Sequence, residues 1–252
     1  VDAALSAPRL EVNRAGSPTI LASNEGWDRA GNASTPAQIT AAAAGVGAFA
    51  LTAGSADSAL LVQLNPGTYT ATIRGLGGAV GEVLAEVYDV SRNATRLTNL
   101  STLSRINADG DLLIPGIVIA GNNPRSLVIR AVSQGLQSFG FGSADVLGDP
   151  RLVVYNGQNV VTNNNNWAQA GVTTLTAAFP AVGAFPLTNA ADSALLEPLA
   201  PGSYTLQAGA TPLNAQQAGA SGSSRAASAA LVRGNAPTAG NAAVRVVVPA
   251  WA

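Results

Sequence analysis

One block of this sequence occurs twice. Pro8-Arg9-Leu10 returns as Pro150-Arg151-Leu152, Trp27 as Trp167, and Gly45-Val46-Gly47-Ala48-Phe49 as Ala181-Val182-Gly183-Ala184-Phe185. The run from Ala56 to Leu61 is repeated letter for letter from Ala191 to Leu196. Leu64, Pro66-Gly67 and Tyr69-Thr70 reappear as Leu199, Pro201-Gly202 and Tyr204-Thr205. Each copy of an internal repeat is a structural unit, so the chain must be read as a doubled fold. Residues 97–148 precede the second copy and have no counterpart ahead of the first, which makes the first unit, as read here, an incomplete one.

Apolar segments are short, rich in β-branched residues and Leu, and bounded by Gly, Pro, Asn or Ser, which is the signature of strands. Candidates are Arg9–Asn13, Thr19–Ser23, Ala59–Leu64, Thr68–Arg74, Val83–Val90, Leu112–Ala120, Ser126–Val132, Leu152–Tyr155, Val160–Asn163, Ala194–Leu199 and Ser203–Gln207. Pro66-Gly67 and Pro201-Gly202 each lie between two strands and are expected to turn a hairpin, Pro fixing φ and Gly accepting a positive one. Ala41–Ala44 and the Ala-rich stretch from Ala208 to Ala230 are the places where helical turns could form, but Gly, Ser and Pro punctuate the second, which reads rather as loop, and little helix is expected. The fold class is all-β: two tandem antiparallel β-sandwiches, 1–96 and 97–233, followed by an extension, 234–252. Within that extension Val244–Val248, between Pro237 and Pro249, reads as one lone strand on a Gly-, Pro- and Asn-containing connection.

The chain has no Cys, His, Met or Lys, and all 13 basic residues are Arg. These absences remove Ser-His, Cys-His and Ser-Lys nucleophile pairs, Schiff-base lysine and zinc held by thiolate or imidazole, so no enzyme is expected. A net charge of −1 with 11% charged residues supplies no field for nucleic acid or an anionic membrane. No segment is long and apolar enough to read as a membrane span. The lack of an initiator Met points to a processed precursor and a removed export signal, hence an extracellular or cell-surface location. Arg74-Gly75-Leu76-Gly77-Gly78-Ala79-Val80-Gly81 does not keep the spacing of a dinucleotide loop and reads as a surface loop.

The order Asp149-Pro150-Arg151-Leu152, Asn-rich turn with Trp167, Gly183-Ala184-Phe185, Asp192–Leu196, Pro201–Thr205 resembles a repeat family of secreted and surface bacterial proteins, as does Glu86-Val87-Tyr88-Asp89 at the end of the first copy. Asp109–Ile119 with Arg125–Val132 looks like the leading half of that family. The trailing half is similar in layout to bacterial pre-peptidase C-terminal domains, which implies jelly-roll-like sandwiches acting as accessory or surface parts without catalysis.

Several residues could carry a site. Asn24, Glu25 and Asp28 around Trp27 offer hard oxygen ligands for Ca²⁺, but the second copy has neutral amides there, Asn163–Asn166. Asp109 and Asp111 are a similar candidate. Asp57-Ser58 and Asp192-Ser193 are read as carboxylates capping backbone N–H groups rather than as a base or an ion ligand. Trp27 and Trp167 are either sugar-stacking platforms or, being repeated with the fold motif, core anchors. Trp251 has no repeat counterpart and is suited to anchoring in a partner's pocket. Asn32, Asn93 and Asn99 begin Asn-X-Ser/Thr triplets, read as chance in so polar a composition.

A sandwich short of strands exposes unpaired edges that another chain can cover. Val244, Val246 and Val248, sharing one face of a donated strand, with Trp251 beyond, form the expected subunit interface. The function that follows is a non-enzymatic extracellular structural subunit, a homopolymer built head to tail into a filament or surface layer, with no cofactor. The alternative is an accessory module of a larger secreted protein that binds polysaccharide.

Overall fold

The computed structural model describes residues 4–91, 97–106, 112–169, 171–210, 225–233 and 242–248, with the backbone alone described for 104–106, 225–233 and 242–248. Strands are β1 (Pro8–Arg14), β2 (Ile20–Asn24), β3 (Ser58–Leu64), β4 (Tyr69–Gly75), β5 (Glu86–Asp89), β6 (Asn99–Ile106), β7 (Gly116–Ile119), β8 (Arg125–Val132), β9 (Pro150–Asn156), β10 (Asn159–Asn164), β11 (Ser193–Leu199), β12 (Gly202–Ala210), β13 (Arg225–Arg233) and β14 (Ala242–Val248). The α-helices are α1 (Pro36–Val46) and α2 (Val172–Ala181). The chain is an all-β sandwich protein with antiparallel sheets.

Two compact units form, one from Val1–Leu97 together with Pro237–Ala252, the other from Thr98–Ala236. Strand β14, within the C-terminal extension, pairs with β3 and β5 of the first unit. That unit has sheets ordered β2-β1-β4 and β3-β14-β5, and the second has β10-β9-β12-β7 and β11-β8-β13-β6. The repeat extends to register. Leu10 faces Asn24 and Ile73 across β1, as Leu152 faces Asn164 and Ala208 across β9.

The Pro-Gly turns do not make hairpins. β3 pairs with β14 and β4 with β1, while β11 pairs with β8 and β12 with β9 and β7. Pro66-Gly67 and Pro201-Gly202 instead carry the chain from one sheet of each sandwich to the other. Each crossover is tied by a tyrosine hydroxyl, Tyr69 to the Asn65 carbonyl at 2.8 Å and Tyr204 to the Ala200 carbonyl at 2.9 Å.

Strand alternation builds two layers of core in each unit. In the second, Leu127, Ile129 and Ala131 of β8 pack with Leu152, Val154, Leu195 and Leu206 between the sheets. Val128 and Val132, on the opposite face of β8, pack under α2 with Leu175 and Phe179. The first unit repeats this on a smaller scale: Leu10, Val12 and Leu60 lie between sheets, and Ala59, Trp27 and Ile39 lie under α1. Each helix thus covers one face of a strand, β8 or β3, whose other face packs between the sheets.

Both helices exceed the little helix expected. Thr35 caps α1 in a reciprocal box, its hydroxyl accepting from the Gln38 N–H and its own N–H donating to Gln38 Oε1, with Pro36 opening the first turn and Gly47 closing the helix at φ 72°. The α2 sequence lacks such signals, since Gly171 precedes it, β-branched residues open it and Pro180 lies inside. Burial of Leu175 and Phe179 supplies what propensity does not. No helix among the described residues is long and apolar enough to cross a membrane.

Candidate functional site

A buried polar lock recurs at the start of the two equivalent strands β3 and β11. Ser58 and Ser193 are fully buried, where an unpaired hydroxyl would be costly. Ser193 Oγ lies 2.6 Å from the Pro150 carbonyl and 3.0 Å from that of Asn164; Ser58 Oγ lies 2.7 Å and 3.1 Å from the carbonyls of Pro8 and Asn24. The Asn side chains answer in the other direction. Asn24 Oδ1 accepts the Ala59 N–H and Asn164 Oδ1 the Ala194 N–H, each at 3.1 Å. The following tryptophan closes the loop, with its main-chain N–H on the Asp57 or Asp192 carbonyl. These bonds join one sheet to the other, so the repeated letters encode a clasp. Asn24 and Asn164 were legible only through their shared spacing, three residues before Trp27 and Trp167.

Beside each clasp runs a strand, and the two strands come from different parts of the chain. In the second unit β8 lies between β11 and β13, with Ala131 opposite Ser193 and Ile129 opposite both Leu195 and Leu231. In the first unit β14 lies between β3 and β5, with Val248 opposite Ser58 and Val246 opposite both Leu60 and Val87. Superimposing Ser58 on Ser193 therefore puts Val248, Val246 and Val244 at the register positions of Ala131, Ile129 and Leu127. Those positions in β8 face the core between sheets. The expected interface residues Val244, Val246 and Val248 thus lie in a central strand paired within their own chain; Trp251 lies outside the described residues.

Across the other face, the two units differ in how they fill the space under the helix. Phe179 of α2 is buried, with its ring centroid 6.0 Å from that of Trp167. Ala43 stands at the equivalent place in α1, and an apolar cavity of about 90 Å³ opens there, lined by Trp27, Ile39, Ala43, Ala48 and Leu51. Phe185 and Phe49 diverge likewise. Phe185 lies 4.3 Å from the Arg130 guanidinium, whereas Phe49 is 45% exposed.

Arg130 is the most unusual charge of the second unit. It is 2% exposed, sits over the rings of Phe179 and Phe185, donates through Nη1 to the Phe185 carbonyl, and its Nε has no hydrogen-bond partner. Burial pulls its pKa down to about 10, opposed by the charge of Asp192. Burial also pushes the Asp192 carboxyl up, against hydrogen bonds from the Ser133 and Gly135 N–H groups at 2.8 and 3.0 Å. Asp192 therefore caps backbone N–H groups, though of a distant segment rather than its own turn. Asp57 is likewise raised by burial, with Ser55 Oγ donating to it at 2.7 Å.

The residues proposed for Ca²⁺ do not converge. Asn24 is engaged in the clasp, Glu25 is paired with Arg9, and Asp28 accepts the Gly54 N–H at 2.6 Å. Among the described residues no three His, Cys, Asp or Glu side chains group as metal ligands, and Asp109 and Asp111 lie outside them. Trp27 is 6% exposed and its indole N–H donates to the Thr52 carbonyl; Trp167 packs against the Phe179 cluster and donates to Asn189. Trp27 is a core anchor, and Trp167 is partly buried against the core of the second unit. The Asn32 amide is held by the Gly26 and Trp27 carbonyls, Asn99 lies in β6, and Asn93 lies outside the described residues.

No protein-family model matches the sequence, and no curated protein matches it. Among solved structures the chain is similar to the infectious bursal disease virus VP2 subviral particle at 11% identity and a TM-score of 0.24, covering 98% of this chain and 66% of that one. It is also similar to infectious bursal virus derived T=1 particles at 12% identity and a TM-score of 0.20, covering 98% of this chain and 63% of that one. The chain thus spans slightly under two-thirds of those proteins.

Proposed function

We propose that this protein is an exported, non-catalytic structural subunit that joins copies head to tail by passing β14 from one copy to the next. The observation that carries the reading is that β14 fills, in the same register, the place that β8 fills in the second unit. A strand that is covalently remote from the sheet it completes can be supplied by its own chain or by a neighbour, with the same backbone hydrogen bonds made in both cases. Exchange of an identical element between copies is a low-cost route to association, and an exchange that does not close on itself yields open fibres. Main-chain pairing on both edges gives affinity, and alternate apolar positions give register.

The absence of His, Cys and Lys supports a role without catalysis. Among the described residues, Trp27 and Trp167 are engaged in packing and Asp57 and Asp192 in hydrogen bonds. Filaments or a surface layer would follow from a homopolymer of this kind outside the cell.

The test is negative-stain microscopy and sedimentation of the full chain concentrated under native conditions, beside a truncation ending before Pro237. Concentration-dependent fibres in the full chain and none in the truncation are expected. A truncation that polymerises as readily as the full chain, or a full chain that stays monomeric at all concentrations, overturns strand exchange.

A further inference from the structure

We infer that the free edge of β4 is a dimerisation site, where β4 of a second copy pairs antiparallel about a two-fold axis at Ala71. The second unit shows what this edge lacks. There β12 lies between β9 and β7, whereas β4, its counterpart, pairs with β1 and with no other strand among the described residues. β7 brings Ile117 and Ile119, both buried, into the core between the sheets. Beside it Tyr204, Leu206 and Ala208 are buried as well; at the matching positions of β4, Tyr69 and Ile73 are half-buried and Ala71 is exposed. The sandwich of the first unit is therefore open along this side, with apolar residues at its rim.

The backbone of that edge points outward. In the second unit the Leu206 N–H donates to the Pro115 carbonyl at 2.8 Å, the Ala208 N–H to the Leu113 carbonyl at 2.9 Å, and the Leu113 N–H back to the Ala208 carbonyl at 2.8 Å. Ile73 faces Leu10 as Ala208 faces Leu152, so Ala71 and Ile73 correspond to Leu206 and Ala208. Alternate residues of an antiparallel strand turn their N–H and C=O groups to the same side. Those of Tyr69, Ala71 and Ile73 thus face away from β1, while Thr70, Thr72 and Arg74 bond to it. Exposed edges are commonly blunted by Lys, Pro or a bulge. Tyr69–Gly75 contains neither residue and keeps one unbroken register with β1.

The side chains identify the occupant as a second copy, because the strand is complementary to itself. With Ala71 opposite Ala71 of the second copy, Tyr69 meets Ile73 on the inner face and Thr70 meets Thr72 on the outer one. Aromatic–β-branched and Thr–Thr pairs are favourable across antiparallel strands. Arg74 falls opposite Thr68, so no like charges meet, and every outward N–H and C=O from Tyr69 to Ile73 finds a partner. A single strand edge is a small contact beside the roughly 1,600 Å² of a standard interface, which sets the expected affinity in the micromolar range. The contact closes after two copies, unlike exchange of β14, and it extends the sheet that β14 does not join. It therefore goes beyond strand exchange and does not depend on it.

Sedimentation velocity of the full chain is expected to show a monomer–dimer equilibrium at micromolar concentration. Ala71→Pro removes an N–H that points away from β1, a change an edge strand tolerates, and is expected to weaken the dimer by about tenfold or more. Ala71→Cys reads the register directly, since the chain has no cysteine of its own. The Cα atoms of a hydrogen-bonded antiparallel pair lie about 5.5 Å apart, within disulfide reach. Air oxidation of Ala71→Cys is expected to give a covalent dimer, and that of Thr68→Cys, far from its own mate in this register, is not. A full chain that stays monomeric at millimolar concentration, or an Ala71→Pro dimer as tight as the unsubstituted one, overturns the site. So does Ala71→Cys that links no faster than Thr68→Cys, and this comparison decides the matter should Ala71→Pro fail to fold. Fibres lost on truncation before Pro237 report β14 exchange separately, because that result does not bear on whether Ala71→Cys links.

Discussion

The two units share their clasps, crossovers and helix lids, yet the second takes its central strand from the segment just ahead of its repeat and the first takes it from the far end of the chain. β8 reaches β11 through residues 133–192, whereas β14 reaches β3 from beyond the whole second unit. The comparison teaches that the repeated letters specify a socket rather than a finished sandwich. What fills the socket need only be a strand with apolar residues at alternate positions and the reach to arrive. It also shows where the units have been free to diverge. Under the helix, the second unit holds Phe179, Phe185 and a buried arginine, and the first holds alanines and a cavity.

The most severe way to break the comparison is to deny the central strand its backbone donors. Proline cannot give a ladder hydrogen bond and is excluded from central strands. Val246→Pro is therefore expected to abolish amide protection in β3 and β5 while β11 and β13 stay protected, and Ile129→Pro to do the reverse. Hydrogen exchange by mass spectrometry reads both. If Val246→Pro leaves β3 protected, the socket does not depend on β14.

Next in size is the clasp. Ser58→Ala and Ser193→Ala each remove a buried hydroxyl and leave two carbonyls without that donor, at an expected cost of about 1–3 kcal/mol in each unit. Denaturant unfolding followed unit by unit checks this, and a large cost in one unit with none in the other would end the equivalence. Smaller still is the pH dependence. Burial holds the Asp192 carboxyl above its ordinary value of 3.8, so the folded second unit binds this proton more tightly than the unfolded chain does. The stabilisation is full below that value and is lost as pH rises through the folded-state pKa. Asp192→Asn should flatten this slope in thermal melts across acid to neutral pH; an unchanged slope would place the proton elsewhere.

The smallest effect is expected on the outer face of the first unit. Arg9, Glu11, Glu25 and Arg74 form an ion-pair cluster there, and the second unit has Val153 at the place of Glu11 and Gly209 at that of Arg74. The Arg74–Glu11 contact, at 3.5 Å with Arg74 largely exposed, is a surface pair. Arg74→Ala should change stability by less than about 1 kcal/mol. A larger change would mean that the charges, and not the clasp, hold this unit.

Much of the fold was legible because repetition does not depend on local propensity. The boundaries of the copies, most strands and the special standing of Asp57-Ser58 and Asp192-Ser193 follow from it. Partners were harder. Pro66-Gly67 has the chemistry of a turn whether the strands it joins pair or cross, so the hairpin reading and the crossover that replaced it look alike in one sequence. β6 was missed because in Asn99–Ile106 the apolar residues, Leu100, Leu103 and Ile106, fall at every third position and not at every second, on an edge strand with Leu103 exposed. α1 could have been found from Thr35 and Gln38 with Pro36 between them, whereas α2 is held by tertiary burial against its propensity. The cavity became visible only when Ala43 and Phe179 were seen at one place in two units.

The position of β14 fixes an order of events. Translation delivers Val244–Val248 after the second unit, so the half of the molecule made first cannot close its second sheet with its own β14 until the second unit has been made. Pairing across so long an interval of chain is slow to form, and the open edge meanwhile is exposed to misassembly. The later-made half can mature on its own schedule, and the earlier-made half must wait for it.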